Sequence, residues 1–180
     1  MIYGERLRLR ALEKEDLPKF VEWLNDPEVR ENLFINHPLS MAEEEQWFGH
    51  MMEQPQYERP LCIEVKIEDD HWQLIGNLAL MNISNVHRNA ELGIMIGDKD
   101  YWNKGFGTEA IKVLVNHAFQ NLNLHRIYLR VYDTNPRGVR CYEKAGFVHE
   151  GTQRDAIFKD GKYIGMHMMS VLSTEWEMNF

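Results

Sequence analysis

Residues 91–132 read ELGIMIGDKDYWNKGFGTEAIKVLVNHAFQNLNLHRIYLRVY, and this stretch decides the fold. Its two ends, residues 91–96 and 126–132, predict strands; in the second, apolar and polar side chains alternate strictly. Between them, apolar residues recur at helical spacing from Gly105 to about Leu122. A helical crossover between two strands makes them parallel and adjacent in most sheets. The stretch therefore predicts a parallel strand pair inside an α/β sheet.

Further strands and helices are predicted on both sides of this unit. Alternation predicts strands at residues 6–10, 61–67 and 73–83, with a turn at Asp69-Asp70 between the last two. Two more strands, at about 147–158 and 163–172, flank Asp160-Gly161, which is a strong hairpin signal. Helices are predicted at about 13–25, 40–52 and 135–146.

The ends of two of these helices carry specific capping signals. Ser40 and Glu43 form a capping-box pattern at the start of the helix at 40–52. Asn135 and Pro136 suit the first positions of the helix at 135–146, and Gly146 suits its left-handed C-terminal cap. The sequence has no internal repeat and no Gly-, Ser- or Pro-rich linker, so we treat residues 1–180 as one domain.

Composition excludes several classes of protein. The 180 residues are 44% hydrophobic and 27% charged, which is ordinary for a globular domain. The net charge of −8 argues against a nucleic-acid partner, and no apolar run is long enough for a membrane helix. Two cysteines, Cys62 and Cys141, make neither a disulfide framework nor a zinc motif, so no metal is expected. We expect a soluble, cytoplasmic protein.

The most informative motif opens the central helix. Two glycines, Gly105 and Gly107, allow backbone N–H groups to approach a ligand, and the start of a helix favours anions. Lys104 adds positive charge. The segment predicts a phosphate or pyrophosphate cradle, although a tight turn without a ligand would have the same pattern. Its residues are Trp102, Asn103, Lys104, Gly105, Phe106, Gly107 and Thr108.

Two nucleotide-binding templates compete for this segment. The P-loop template fails because the lysine precedes the first glycine. The dinucleotide fingerprint G-x-G-x-x-G/A fits literally over residues 105–110. However, eight residues separate its first glycine from the preceding strand, whereas the dinucleotide fold places the glycine directly after the strand. A dinucleotide-binding protein therefore stays open as the weaker alternative.

A second motif lies at residues 135–147 and reads N-P-R-G-V-R-C-Y-E-K-A-G-F. The first and second motifs together indicate a protein family. The two motifs resemble the pyrophosphate-binding and later helix motifs of the GNAT superfamily of acetyl-coenzyme A-dependent N-acetyltransferases. Within it, the chain resembles the RimJ/RimL-like branch and the bacterial spermidine acetyltransferases. It departs from the family at Trp102, where Gln or Arg is usual, and at Gly165, where many members of the branch have Asp.

The resemblance implies a fold and a cosubstrate. The fold is α/β (α+β): a mixed, mostly antiparallel sheet of about six to seven strands with a central parallel pair, flanked by about four helices. The cosubstrate is acetyl-CoA. Its expected binding residues are the cradle segment 102–108, Asn135 and Arg140, with Ile94, Met95 and Ile96 pairing their backbone with the pantetheine arm. Arg137, Arg140 and Lys144 either contact its phosphates or form a solvated helix face.

The resemblance also implies direct attack of an amine on the acetyl thioester. Tyr142 is the candidate proton donor to the leaving sulfur, because an ordinary phenol stays protonated near neutral pH; it could instead only fill the contact between helix and sheet. Glu91 is the candidate general base; alternatively it is a surface carboxylate of its strand, or one that only orients the acceptor amine. Cys141 lacks the His and Asp partners that a nucleophile needs.

The acceptor is predicted from charge. Acidic residues concentrate in the first third of the chain, and Glu28, Glu31 and residues 43–45 fall in the region that shapes the acceptor groove in this family. We expect a small cationic amine, such as a polyamine, or the N-terminus of a basic peptide. A coenzyme A-binding sensor or scaffold without transfer activity remains an alternative. The branch resemblance implies a homodimer.

Overall fold

The computed structural model of the chain describes residues 1–68 and 71–176. The strands are β1 Ile2–Tyr3, β2 Leu7–Ala11, β3 Leu61–Glu68, β4 His71–Ser84, β5 Asn89–Ile96, β6 Arg126–Tyr132, β7 Val148–Lys159 and β8 Lys162–Leu172. The α-helices are α1 Leu17–Asn25, α2 Pro27–Arg30, α3 Met41–Glu53, α4 Phe106–Asn121 and α5 Pro136–Lys144. Three short 3-10 helices, Lys14–Asp16, Gln56–Glu58 and Lys99–Tyr101, precede α1, β3 and α4.

The strands form one sheet in the order β1-β2-β3-β4-β5-β6-β8-β7. Of the strand pairs described, β5 with β6 is parallel and the others are antiparallel, as expected for the predicted fold class. This arrangement rules out the dinucleotide-binding alternative, because that fold requires a mostly parallel, doubly wound sheet. No described helix has both the length and the apolar character to span a membrane.

Local signals in the sequence located most elements correctly. The seven predicted strands and four predicted helices are all present, and the structure adds the two-residue strand β1 and the one-turn helix α2. Asp160 and Gly161 both have positive φ, as a tight hairpin turn requires. The capping box of Ser40 and Glu43 also forms. The predicted turn at Asp69-Asp70 lies outside the described residues.

The parallel pair is short, and this positions the site. Strands β5 and β6 are paired from Asn89↔Arg126 to Glu91↔Tyr128 and no further. Beyond Glu91, β5 keeps its antiparallel partner β4 as far as Ile96↔Gly76. Strand β5 therefore has a neighbour on one side only along its second half, and backbone groups on the other side face a gap in the sheet.

Two cores cover the two faces of the sheet. The larger core packs α4 against one face, with Ile111 and Leu114 of the helix buried in the same cluster as Leu92 of β5. The smaller core packs Phe20 and Trp23 of α1 against the other face, together with Met95 of β5. The side chains of β5 alternate between these two cores. For this reason the sequence of β5 is an almost continuous apolar run.

A buried ionic cluster connects β2, β3 and the start of α1. Glu64 of β3 accepts hydrogen bonds from the Nε atoms of both Arg8 and Arg10, at 2.7 Å each. The guanidinium of Arg10 also binds both carboxylate oxygens of Asp16, at 2.7 and 2.8 Å. Burial alone would raise the pKa of Asp16, but the hydrogen bonds from Arg10 and from the Glu13 backbone N–H, together with the positive charge of Arg10, hold that pKa below its ordinary value.

The segment after α2 is held by one side chain from β6 and one from β7. The Lys159 ammonium, at the end of β7, donates to the backbone carbonyls of Glu31 at 2.6 Å and of Arg30 and Leu33 at 3.3 Å each. The Tyr132 hydroxyl donates to the same Leu33 carbonyl at 3.2 Å. These contacts fix the chain where it leaves α2 and passes the gap beside β5.

The ionic cluster yields a stability prediction. Glu64→Gln removes the charge that Arg8 and Arg10 share, and we expect the free energy of unfolding to fall by roughly 2–3 kcal/mol, because the partly buried guanidinium of Arg8 loses this counter-charge and that of Arg10 keeps only Asp16. Urea unfolding at neutral pH measures this loss. Glu68→Gln, at an exposed position of the same strand, is the control and should change little. Equal stability of the two variants would contradict the prediction.

Candidate active site

Two cavities lie on either side of the gap where β5 and β6 part. The first, which we call the basic cavity, has a volume of about 340 Å³. Its charged lining residues are Arg137, Arg140 and Lys144, and no Asp or Glu of residues 1–68 and 71–176 lines it. Its remaining lining residues are Val29, Asn32, Leu33, Ile94, Met95, Ile96, Tyr101, Trp102, Asn103, Gly105, Gly107, Thr108, Asn135, Gly138, Cys141 and Tyr142.

One end of the basic cavity is the start of α4. Gly105 precedes the helix with a φ of +85°, a left-handed conformation that disfavours any residue with a Cβ. No side chain caps this end, so the first N–H groups of α4 have no capping partner from a side chain. With Gly107 also lining the cavity, the segment presents backbone donors and a helix dipole to an anion.

Trp102 fixes the turn between β5 and α4. Its indole Nε1 donates to the backbone carbonyl of Ile96 at 2.7 Å. The guanidinium carbon of Arg137 lies 3.8 Å from the centre of a Trp102 ring, which is a close cation–π contact. The tryptophan at the usual Gln or Arg position thus binds the end of β5 and holds a basic residue of α5 beside the cradle.

Helix α5 supplies the opposite wall of the basic cavity. Asn135 caps it by accepting a hydrogen bond from the Gly138 N–H at 2.9 Å, as predicted. Thr108 of α4 contacts Cys141 of α5, with Oγ1 3.4 Å from the thiol sulfur. The two helices therefore meet at the base of the cavity, and Arg137 and Arg140 from the first turns of α5 line it together.

Tyr142 places a free hydroxyl in the basic cavity. It packs against Phe147, with the ring centres 6.1 Å apart, and its hydroxyl makes no hydrogen bond to any described residue. Burial, with a smaller contribution from Cys141, raises the pKa of the Tyr142 phenol above its ordinary value of 10. The phenol is therefore protonated at neutral pH and can donate a hydrogen bond or a proton within the cavity.

The second cavity, which we call the apolar groove, lies between the sheet and helices α1 and α3 and has a volume of about 640 Å³. Its titratable lining residues are Glu44, His50 and Glu58, and no Lys or Arg lines it. Most of the remaining lining is aliphatic or aromatic: Phe20, Leu24, Leu33, Phe34, Ile35, Leu39, Trp47, Met51, Pro60, Leu78, Ala79, Met81, Ile94 and Met95. Leu33, Ile94 and Met95 belong to both cavities, which therefore adjoin at β5.

Glu91 is buried and fully engaged. Its Oε1 accepts from Arg130 Nε at 2.7 Å, and its Oε2 accepts from Asn82 Nδ2 at 3.0 Å. Glu91 lines neither cavity, although Asn82 lines the apolar groove. Glu91 is therefore not a surface carboxylate, and both of its oxygens are occupied by hydrogen-bond donors. This geometry favours a positioning role for Glu91 over that of a general base.

The structure gathers most of the predicted cosubstrate-binding residues around the basic cavity. Lys104 and Phe106 are the exceptions within the cradle segment and do not line it. The Lys104 ammonium lies 5.8 Å from the Tyr101 ring centre, and Phe106 packs under the Arg6 guanidinium. The Phe106 ring thus lies between Arg6 and Tyr101, while its neighbours Gly105 and Gly107 line the cavity.

Some residues that line the basic cavity were not among the predicted site residues. Arg137 and Lys144 had been left between a phosphate contact and a solvated face, and the structure places both at the basic cavity. Their helical spacing with Arg140 was the available signal. No local signal pointed to Leu33, because it reaches the site from a segment distant in sequence.

Gly165 occupies the position at which many members of the branch have Asp. Its N–H donates to the Asp133 carboxylate at 3.0 Å, and a Cβ at Gly165 would lie 2.4 Å from the same oxygen. Asp133 thus fills the space that a side chain at Gly165 would need. Among residues 1–68 and 71–176, no three His, Cys, Asp or Glu side chains are grouped to hold a metal ion.

Comparisons with known proteins agree along most of the chain. A family model described as an acetyltransferase (GNAT) domain matches residues 6–148. The chain is 33% identical to the spermidine N(1)-acetyltransferase of Vibrio cholerae serotype O1 over 173 residues, covering 96% of each. It is 30% identical to the uncharacterized N-acetyltransferase p20 of Bacillus licheniformis, covering 97% of each. The crystal structure of the Vibrio cholerae spermidine N-acetyltransferase in complex with CoA and spermine is similar with a TM-score of 0.85 and 32% identity, covering 94% of this chain and 97% of that one.

The two thiols yield a reactivity prediction. Burial raises the pKa of Cys62 and of Cys141 above the ordinary value of 9, and only the thiolate reacts with iodoacetamide. We expect both to be alkylated more slowly in the native protein at pH 8 than in urea, since a raised pKa lowers the fraction of thiolate; for Cys62 the rate should fall at least about tenfold. Mass spectrometry of the labelled peptides measures each rate. Fast native labelling of Cys141 would restore it as a candidate nucleophile.

Proposed function

The chain belongs to the GNAT family of acetyltransferases, as its sequence motifs predicted, and on this premise we propose that its acceptor is a polyamine bound in the apolar groove. It is an acetyl-CoA-dependent N-acetyltransferase. The acceptor is proposed because relatives of similar length are spermidine acetyltransferases and one was solved with CoA and spermine. Residues 1–180 are proposed to act as one acetyltransferase domain.

The division of charge between the adjoining cavities carries the proposal. The basic cavity is lined by three basic residues and no acidic one, which suits a polyphosphate. The apolar groove is lined by two carboxylates and no Lys or Arg, which suits a cationic molecule with an aliphatic body. The cavities meet at Ile94 and Met95, so an acyl group delivered along β5 would lie between them.

In this proposal the backbone holds acetyl-CoA as much as the side chains do. The pyrophosphate lies at the start of α4, where Gly105 and Gly107 leave the N–H groups accessible. The pantetheine arm runs along Ile94–Ile96 as an added strand, on the side of β5 that β6 has left. Arg137 and Arg140 neutralise phosphate charge from the α5 side.

The transfer needs no covalent enzyme intermediate. The neutral amine nitrogen attacks the thioester carbonyl carbon and forms the C–N bond, and the C–S bond then breaks. The leaving thiolate takes a proton from Tyr142. The attacking nitrogen gives up one proton to solvent in the open groove, and the Tyr142 phenolate takes a proton back from solvent, which restores the enzyme. Coenzyme A leaves as the free thiol. Glu91 as general base remains a prediction, and the engagement of both its oxygens favours a positioning role.

Release of free thiol tests the proposed function. Purified protein is incubated with acetyl-CoA and, separately, with polyamines, amino sugars and basic peptides, and the thiol is followed with a chromogenic disulfide. We expect release with polyamines above the rate without amine. A protein that binds acetyl-CoA but releases thiol with none of the amines would be a sensor or scaffold instead. Thermal shift with acetyl-CoA alone would not separate these outcomes, because both would be stabilised.

Tyr142→Phe tests the proton donor. We expect kcat to fall about 100-fold, because the leaving thiolate loses its general acid, while the KM for acetyl-CoA changes little. Steady-state kinetics with saturating acceptor measures both constants. Tyr163→Phe, at an exposed position of β8, is the control and should retain wild-type kcat. Full activity of Tyr142→Phe would remove Tyr142 from the mechanism.

Homodimerisation remains a proposal. Strand β7 is the outer strand of the sheet, and Val148 and Phe158 on it and Tyr163 beside it are exposed apolar residues. Such an edge can bury apolar surface against a second copy. Light scattering coupled to size-exclusion chromatography distinguishes a dimer from a monomer.

A further inference from the structure

Helix α3 carries a carboxylate on its inward face. The less exposed positions of the helix recur at helical spacing, at Met41, Glu44, Trp47, Phe48, Met51 and Met52. Five of these six residues are apolar, as the core-facing stripe of an amphipathic helix requires. Glu44 is the exception, and it is also the most buried of them, with 4% of its surface exposed.

Glu44 has no partner for its charge. Among the described residues it makes no hydrogen bond and no ion pair, whereas its two neighbours are engaged. Glu43 caps the helix by accepting from the Ser40 N–H at 2.8 Å, and Glu45 lies 3.1 Å from the Lys14 ammonium. Burial raises the pKa of Glu44 above its ordinary value of 4.5. A buried ionised carboxylate without a partner is costly, so a fold that keeps one gains nothing in stability from it.

The surroundings of Glu44 define what it can bind. It lines the apolar groove among aliphatic and aromatic side chains that include Phe20, Leu39 and Trp47. The other titratable groups lining the groove are His50 and Glu58, and no Lys or Arg of the described residues lines it to neutralise Glu44. A cation entering the groove would therefore meet the largely buried Glu44 carboxylate among apolar side chains.

We propose that Glu44 binds an ammonium group of the acceptor other than the one that is acetylated. This inference rests on the proposed function and specifies its substrate class. The acceptor carries two amines joined by an aliphatic segment: one nitrogen attacks the thioester beside β5, the apolar wall of the groove packs on the methylenes, and the second nitrogen pairs with Glu44. A monoamine of the same length leaves Glu44 unpartnered, so the enzyme distinguishes diamines and polyamines from alkyl monoamines.

Matched pairs of amines test this specificity. Kinetics with acetyl-CoA are measured for spermidine and for alkane diamines, each diamine beside the monoamine of equal chain length. We expect Glu44→Gln to raise the KM for the diamines and spermidine roughly 30-fold, the size of a charge-assisted hydrogen bond, and to change the monoamines less than about threefold. Glu45→Gln, its exposed neighbour on the same helix, should leave every KM unchanged. Equal changes for both classes of amine, or none, would overturn the proposal.

Direct binding separates this proposal from the proposed function. Calorimetric titration of spermidine into the protein saturated with coenzyme A does not depend on turnover. Weaker binding to Glu44→Gln than to Glu45→Gln would support the ammonium site even if no amine released thiol, an outcome that would reject only the proposed function. Equal affinity of the two variants would reject the ammonium site.

The stability of the free protein provides a readout that a structural role would not give. Because the pKa of Glu44 is raised on folding, its carboxylate opposes folding increasingly as the pH rises above about 4.5 through that raised pKa. The ligand-free Glu44→Gln protein should therefore have a melting temperature at pH 7 equal to or above that of the wild type. It should also lose most of the melting-temperature gain that spermidine gives the wild type. A lower melting temperature without spermidine would show that Glu44 holds the fold together, and would count against the proposal.

Discussion

The three-residue pairing of β5 with β6 is the constraint on which the rest of the molecule depends. The strands are parallel neighbours from Asn89↔Arg126 to Glu91↔Tyr128 and then part. If β5 and β6 stayed paired further along, the sheet would close and both cavities would be lost. If they did not pair at all, α4 and α5, which meet at Thr108 and Cys141, would be held apart. The gap exposes the backbone of β5 between two cores that hold its side chains rigidly. A site built on a strand held in this way needs little conformational change.

Much of the fold was predictable because it is encoded by neighbours in sequence. Caps at Ser40 and Asn135, the left-handed residue at Gly146 and the hairpin at Asp160-Gly161 each follow from the chemistry of a few adjacent residues. The crossover from β5 through α4 to β6 followed from the change of period and a rule of handedness. Strand β1 and helix α2 were missed because they are too short to show a period. The point at which β5 and β6 part was also missed, since no local pattern records where two distant strands stop pairing.

The site was predictable in its motifs but not in its individual side chains. Most of the cradle segment lines the basic cavity, yet Phe106 packs under Arg6 instead. Of the acidic residues at the start of α3, the capping pattern singled out Glu43, whereas Glu44 and Glu45 looked alike in sequence and have different environments in the fold. Glu43 caps a helix, Glu45 pairs on the surface and Glu44 is buried without a partner. Helical periodicity contained this distinction, because Glu44 stands in the apolar stripe, but a count of charges by region conceals it.

The attachment of Lys159 connects the outer edge of the sheet to the wall between the cavities. Its ammonium and the Tyr132 hydroxyl both bind the Leu33 carbonyl, and the Leu33 side chain lines the basic cavity and the apolar groove at once. Any displacement of that wall must break contacts made by the tip of the β7–β8 hairpin. The width of the passage between acyl donor and acceptor is therefore mechanically coupled to a distant strand edge. Substitutions on the outer hairpin can then alter which amines are accepted without touching any of them.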